Sequence, residues 1–130
     1  MSPSVVLDSS VWIEIFRSGP LLKACQQELN AARIVIVPSL VLFEVYKKIV
    51  SQKTEDLALS AIALLNQYLV QDLNQEIALT AADLSLQHHL AMADSIVLAH
   101  AVKTNSTLVT LDNDFEGILG TQVLRSKVKS

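Results

Sequence analysis

The chain has 130 residues, 51% of them hydrophobic, and ten Lys plus Arg against thirteen Asp plus Glu leave a net charge of −3. That size suits one domain over residues 1–130, and the charge argues against a broad basic surface for gripping nucleic acid, though not against contact with phosphate through bound cations. The longest charge-free stretch is too polar for a membrane span, no secretory signal opens the chain, and Cys25 stands alone, so a cytoplasmic protein without disulfides is expected.

Val5-Val6-Leu7 reads as a short buried strand stopping on Asp8, with Pro3 ending any earlier regular structure. Asp8, Ser9 and Ser10 are helix-capping types, and Val11-Trp12-Ile13 with Ile15-Phe16 start an apolar helix that ends near Gly19-Pro20. A second helix is predicted from about Leu21 to Ala32. Ile34-Val35-Ile36-Val37 is a run of β-branched residues suited to a strand covered on both faces, and Pro38 ends it. Ser39 can cap a helix to about Ser51 whose buried stripe is Leu42, Val45, Tyr46 and Ile49. Thr54 with Glu55 and Asp56 starts another, to about Tyr68.

Tyr68 to Leu73 reads as a short third strand, and Glu76 to about Leu90 returns to helical spacing. Asp94 then opens a helix over Ser95 to about Thr104, in which Ile96-Val97-Leu98-Ala99 indicates deep burial. Thr107-Leu108-Val109-Thr110 is the fourth strand, Asp112-Asn113-Asp114 a turn, and Thr121 to Leu124 a fifth strand. Residues 125–130 form a basic tail expected to fray. Strands alternating with helices indicate βαβ units, an α/β fold with a parallel sheet flanked by helices.

Four acids interrupt apolar surroundings: Asp8, Glu44, Asp94 and Asp112. Each has a plain explanation. Asp8 and Asp94 can cap helices, Glu44 can pair with Lys47 or Lys48 on a solvated face, and Asp112 can make a turn with its own backbone. Taken together they suggest more. Ligands of an open parallel sheet bind beyond the carboxyl ends of its strands, where strand order reverses. Asp8 ends the first strand and Asp112 follows the fourth, so neighbouring first and fourth strands would aim both into one crevice. Asp94 and Glu44 can reach it from helix N-terminal segments.

Carboxylates so close repel, and a hard divalent cation with oxygen ligands resolves the conflict. Such a metal eases ionisation of a bound water and neutralises charge on phosphate, which points to phosphodiester hydrolysis. No His or Cys pair at zinc spacing competes, and the adjacent His88 and His89 diverge by about 100° on a helix.

Val6-Leu7-Asp8-Ser9-Ser10-Val11-Trp12-Ile13, Pro38-Ser39 through Phe43-Glu44-Val45, Asp94-Ser95-Ile96-Val97-Leu98-Ala99 and Leu108-Val109-Thr110-Leu111-Asp112-Asn113-Asp114-Phe115 occur in that order. With these motifs the chain resembles the PIN domain family of metal-dependent ribonucleases, specifically VapC-type toxins of prokaryotic toxin–antitoxin pairs, from about Val5 to Val123. The resemblance implies the strand order 3-2-1-4-5 and Asp8, Glu44, Asp94 and Asp112 as catalytic metal ligands for Mg²⁺ or Mn²⁺. It also implies Ser10 and Thr110 as hydrogen-bonding support. Asp112 is favoured over Asp114 as the nearer ligand because it comes first off the strand, and Asp114 stays a candidate. Ser95 departs from the small apolar residue common after the third acid. An RNA substrate, a homodimer and a cognate antitoxin that covers the acids are implied as well.

Two other readings stay open. One is a catalytically silent binding module of the same fold. The other is a receiver-like magnesium-binding domain, against which Ser9 after Asp8, where such domains have adjacent acids, and the absence of a Lys on the late strand count. Trp12 and Phe16 read as core or dimer contacts, and Glu14, Asp72, Asp83 and Glu116 as solvent-facing. Lys47, Lys48 and Lys53 read as a solvated face, or as RNA phosphate contacts near Glu44. Arg17 and Lys103 receive no role.

Overall fold

The computed structural model describes residues 4–125. Pro3 and the expected basic tail beyond Arg125 lie outside the described residues. Five strands form one sheet in the order β3-β2-β1-β4-β5: β1 (Ser4–Leu7), β2 (Ile34–Pro38), β3 (Leu69–Gln71), β4 (Thr107–Thr110) and β5 (Thr121–Val123). Six helices flank it: α1 (Ser9–Phe16), α2 (Leu22–Ala31), α3 (Ser39–Gln52), α4 (Glu55–Leu65), α5 (Gln75–His88) and α6 (Met92–Lys103). A 3₁₀ turn, Asn113–Phe115, follows β4. Every strand pair is parallel, as the βαβ alternation predicts, and the order is the expected 3-2-1-4-5.

The position of β1 decides where a site can form. It pairs with β2 on one side, Val5 opposite Val35, and with β4 on the other, Leu7 opposite Val109. The chain therefore leaves β1 toward β2 and later returns to β1's other edge, which puts the reversal of strand order between β1 and β4. All four β1 residues are buried, and Val6, Leu7, Leu108 and Val109 are fully so. Each such side chain contributes roughly 1.5–3 kcal/mol by leaving water, enough to hold the register against a slip.

Capping chemistry starts the helices. Asp8 accepts from the Ser9 backbone N–H at the start of α1, Thr54 from Leu57 at α4, and Asn74 from Ile77 at α5. In α6 every residue from Ser95 to Ala101 is buried, which explains an apolar run with little helical periodicity. Trp12 is fully buried and stacks on Phe16 with ring centroids 6.2 Å apart, with Tyr68 at 5.5 Å on another side, so it is a core residue.

Several expectations need correction. α1 ends at Phe16 and α4 at Leu65, and α6 begins at Met92, so Asp94 sits in its first turn while Ala91 occupies the cap. The largest correction concerns Glu14, expected in solvent but only 3% exposed. Its Oε1 accepts from Arg17 Nε at 3.0 Å and pairs with Nη2 at 2.9 Å, while Oε2 accepts the Leu21 backbone N–H at 2.6 Å. Arg17 stands at the end of α1 itself, and the Gly19-Pro20 turn brings the Leu21 N–H back to the carboxylate. Glu116 is exposed as expected but pairs with Arg125.

Gly19 makes room for Glu14, since a Cβ there would stand 2.3 Å from the Glu14 carboxyl carbon. Three interactions pin that carboxylate, so it cannot simply swing aside. Glu14→Ala and Gly19→Ala should each destabilise the protein by about 2 kcal/mol, the cost of stranded or displaced buried polar groups. Urea denaturation of the double variant should give much less than the sum, because both changes remove the same interaction; additive losses would show the two residues to be independent.

Candidate functional site

Asp8 lies at the carboxyl end of β1, 6% exposed, and its backbone N–H continues the ladder to Val109 O at 3.0 Å. Its Oδ1 accepts from the Ser9 N–H at 2.8 Å; its Oδ2 accepts from Ser10 Oγ at 3.1 Å and Thr110 Oγ1 at 2.8 Å. Both hydroxyls in turn accept from the chain leaving β4: Leu111 N–H donates to Ser10 Oγ and Asp112 N–H to Thr110 Oγ1, each at 3.0 Å. The two hydroxyls thus tie the tip of β1 to the segment that carries Asp112. Capping α1 and facing the crevice are not alternatives for Asp8; it does both.

Asp8, Glu44, Asp94 and Asp112 line one crevice of about 510 Å³, together with Ser10 and the rim residues Arg17 and Lys48. Asp94 comes from the first turn of α6 and Glu44 from the second turn of α3. No ion pair involves Glu44 among the described residues, and Lys47 instead lies with its Nζ 5.6 Å from the centre of the Phe43 ring. Asp112 also makes the expected turn, its Oδ1 accepting from the Asp114 N–H at 2.9 Å. Asp94, Asp112 and Asp114 can each offer one carboxylate oxygen, and these atoms lie within 4.8 Å of one another. Asp114 is exposed and Asp112 half-buried.

The carboxylates load the site with unfavourable charge. Burial raises the Asp8 pKa, opposed by its bonds from Thr110, Ser10 and Ser9, while the charge of Asp112 adds to the rise. Glu44 is raised by burial and then by Asp8, against a hydrogen bond from the Ser9 side chain. Asp94 is pushed up to about 6, first by burial and then by Asp112, Asp8, Glu44 and Asp114. Such a set of hard oxygen donors, crowded and short of counter-charge, fits a divalent cation.

Two neighbours of this crevice were not legible as such, whereas Lys48 reads from the sequence as a solvated face or a phosphate contact near Glu44. Arg17, unassigned from the sequence, and the buried Glu14 both line it, and Lys48 stands one turn of α3 beyond Glu44. The spacing of Glu44 and Lys48 was available as a signal; the approach of Arg17 was not, because it depends on where α1 ends. His88 is half-buried and His89 exposed, and neither lines the crevice. Cys25 is buried and free, its thiol pushed up to about 11 by burial and then by Glu14 and Glu28.

Residues 5–118 match the PIN domain. Among solved structures, a toxin–antitoxin complex from Klebsiella pneumoniae is similar at TM-score 0.79 and 24% identity, over 92% of this chain and 96% of that one. VapBC2 from Rickettsia felis, bound to a DNA fragment from its promoter, is similar at TM-score 0.73 and 16% identity, over 93% and 97% of the two chains. VapC20 from Mycobacterium tuberculosis, a sarcin–ricin loop cleaving toxin, is similar at TM-score 0.72 and 17% identity, over 85% and 92%. No curated protein matches the sequence. At these identities the structural likeness speaks for a shared fold, and it agrees with the family match that spans most of the sequence: the chain belongs to the PIN domain family.

Proposed function

We propose that this protein is a metal-dependent endoribonuclease and the toxin of a toxin–antitoxin pair. The observation that carries the reading is the convergence of Asp8, Glu44, Asp94 and Asp112 on one crevice where the sheet reverses strand order. Membership of the PIN domain family supports the reaction class, and the toxin–antitoxin complexes among its structural neighbours support the biological setting. Asp8, Glu44, Asp94 and Asp112, with Asp114 close by, would hold Mg²⁺ or Mn²⁺. When bound, the ion supplies an easily ionised water and neutralises charge developing on the phosphate.

The chain's own residues do the positioning. Ser10 and Thr110 hold Asp8 in a fixed orientation, so its carboxylate needs no reorganisation on meeting a cation. The raised pKa of Asp94, about 6, makes the site hold a proton more readily than an ordinary carboxylate, and a cation competes with that proton as pH falls toward 6. A cognate antitoxin would silence the site by covering the acids, for which an Arg guanidinium has the right fork. A homodimer and a reducing cytoplasm, consistent with the free buried Cys25, complete the proposal.

Purified without its partner, the protein should cleave total RNA in Mg²⁺, and EDTA should stop the reaction. Asp8→Asn and Asp94→Asn should each slow it at least about 100-fold. Cleavage that survives EDTA, or either substitution, would contradict the mechanism.

A second expectation follows from the carboxyl groups. The folded pKa values of Asp8, Glu44 and Asp94 are raised, so the folded state holds more protons than the unfolded chain, and stability rises as pH falls through these values. The buried His100, its pKa lowered to about 4, works the other way because only the unfolded chain takes up its proton in this range. The share of the acids is therefore read on His100→Gln, whose metal-free form should gain a few degrees in melting temperature between pH 7.5 and 5.5. Asp94→Asn should show the gain already at pH 7.5 while binding Mg²⁺ more weakly. A lower melting temperature with unchanged metal affinity would reduce Asp94 to a helix-start residue.

A further inference from the structure

Five carboxylates line the crevice, Glu14 among them, and a polyanionic strand entering it meets only two cationic side chains among the lining residues, Arg17 and Lys48. These two also line the adjoining apolar groove between α1, α3 and α4, so they stand where one opens into the other. Their settings differ. Arg17 is held: the buried Glu14 fixes Nε and Nη2, while Nη1 has no partner among the described residues and the side chain is 59% exposed. Glu14 is itself fixed by the Leu21 N–H, and Gly19 keeps the space it occupies.

A carboxylate buried this deeply needs a well-placed partner at each oxygen. Here it orients a guanidinium whose free edge remains open at the rim of an acidic crevice. A planar guanidinium with a free N–H edge matches a phosphate diester better than a mobile ammonium does. We infer that Arg17 binds a phosphate of the RNA strand and that Glu14 is the residue that positions it; the inference rests on the ribonuclease reading above. Asp8 and Arg17 lie at opposite ends of α1, whose eight residues rise roughly 12 Å. The phosphate that Arg17 meets is therefore not the scissile one but another farther along the strand, and Arg17 fixes where the strand lies without entering the chemistry.

The test is the initial rate of cleavage of a fluorescein-labelled single-stranded RNA oligonucleotide in Mg²⁺ across a series of KCl concentrations, with melting temperature followed in parallel. Arg17→Gln should raise KM about five- to tenfold. It should leave kcat within about twofold, the pattern of lost uniform binding. The slope of log(kcat/KM) against log[KCl] should flatten by about 0.7, one phosphate contact on a single strand. Arg17→Lys should keep the salt slope and recover part of the KM. If Arg17→Gln is unstable because Glu14 is stranded, the Glu14→Gln/Arg17→Gln double variant removes that charge and should give the same shifts. Lys103→Gln, at the end of α6 far from Asp94, should change nothing.

Wild-type KM and salt slope in both the single and the double variant would overturn the inference, as would a loss confined to antitoxin binding. A wild-type protein that cleaves no RNA would overturn the ribonuclease reading and this inference with it. Cleavage indifferent to Arg17 would overturn the inference alone.

Discussion

The site depends on the parallel pairing of β1 with β4 and on the buried carboxylate that closes it. Asp8 sits one residue past the last paired position of β1, and its N–H still reaches Val109. A slip of one residue would turn its side chain to the opposite face and dismantle the network with Thr110. Three hydrogen bonds offset the burial of this acid only in part, as its raised pKa records. The remaining deficit gives the crevice its demand for a cation. Stability and function pull against each other at this point, and the apolar strands beneath it supply the rigidity that holds the acids together.

Much of this was readable from residue order. Apolar strands ending on acids, a β-branched run closed by Pro38, and capping residues at Asp8 and Thr54 each report a local preference that the fold keeps. The strand order and the shared crevice needed the family resemblance, since no local rule says which strands become neighbours. Glu14 was misjudged because its burial is created by the return of the chain at Gly19 and Leu21, five and seven residues on. His100 shows the same limit. It is fully buried, with Nδ1 2.6 Å from Gln71 Oε1 on β3 and a pKa lowered to about 4 by burial, and its position in a continuous apolar run was the one available hint.

The charge pattern also makes sense at two scales. A net charge of −3 gives no long-range pull on RNA, and the crevice itself is repulsive to phosphate without a cation. On the proposed function, attraction would be local, from an ion held by the acids and from the few basic groups at the rim. Nucleic-acid binding would then be conditional on the metal. The same acidic crevice would offer a protein partner a target for an Arg.

The claim that the acids form one metal centre is tested most directly by crystals soaked in Mn²⁺ and measured for anomalous scattering. The account predicts a peak in the crevice, within coordination distance of carboxylate oxygens from Asp94, Asp112 and at least one of Asp8, Glu44 and Asp114. That peak should be absent from crystals of Asp94→Asn. No peak in the wild type at saturating Mn²⁺, or a peak only at surface acids such as Asp72 or Asp83, would contradict it.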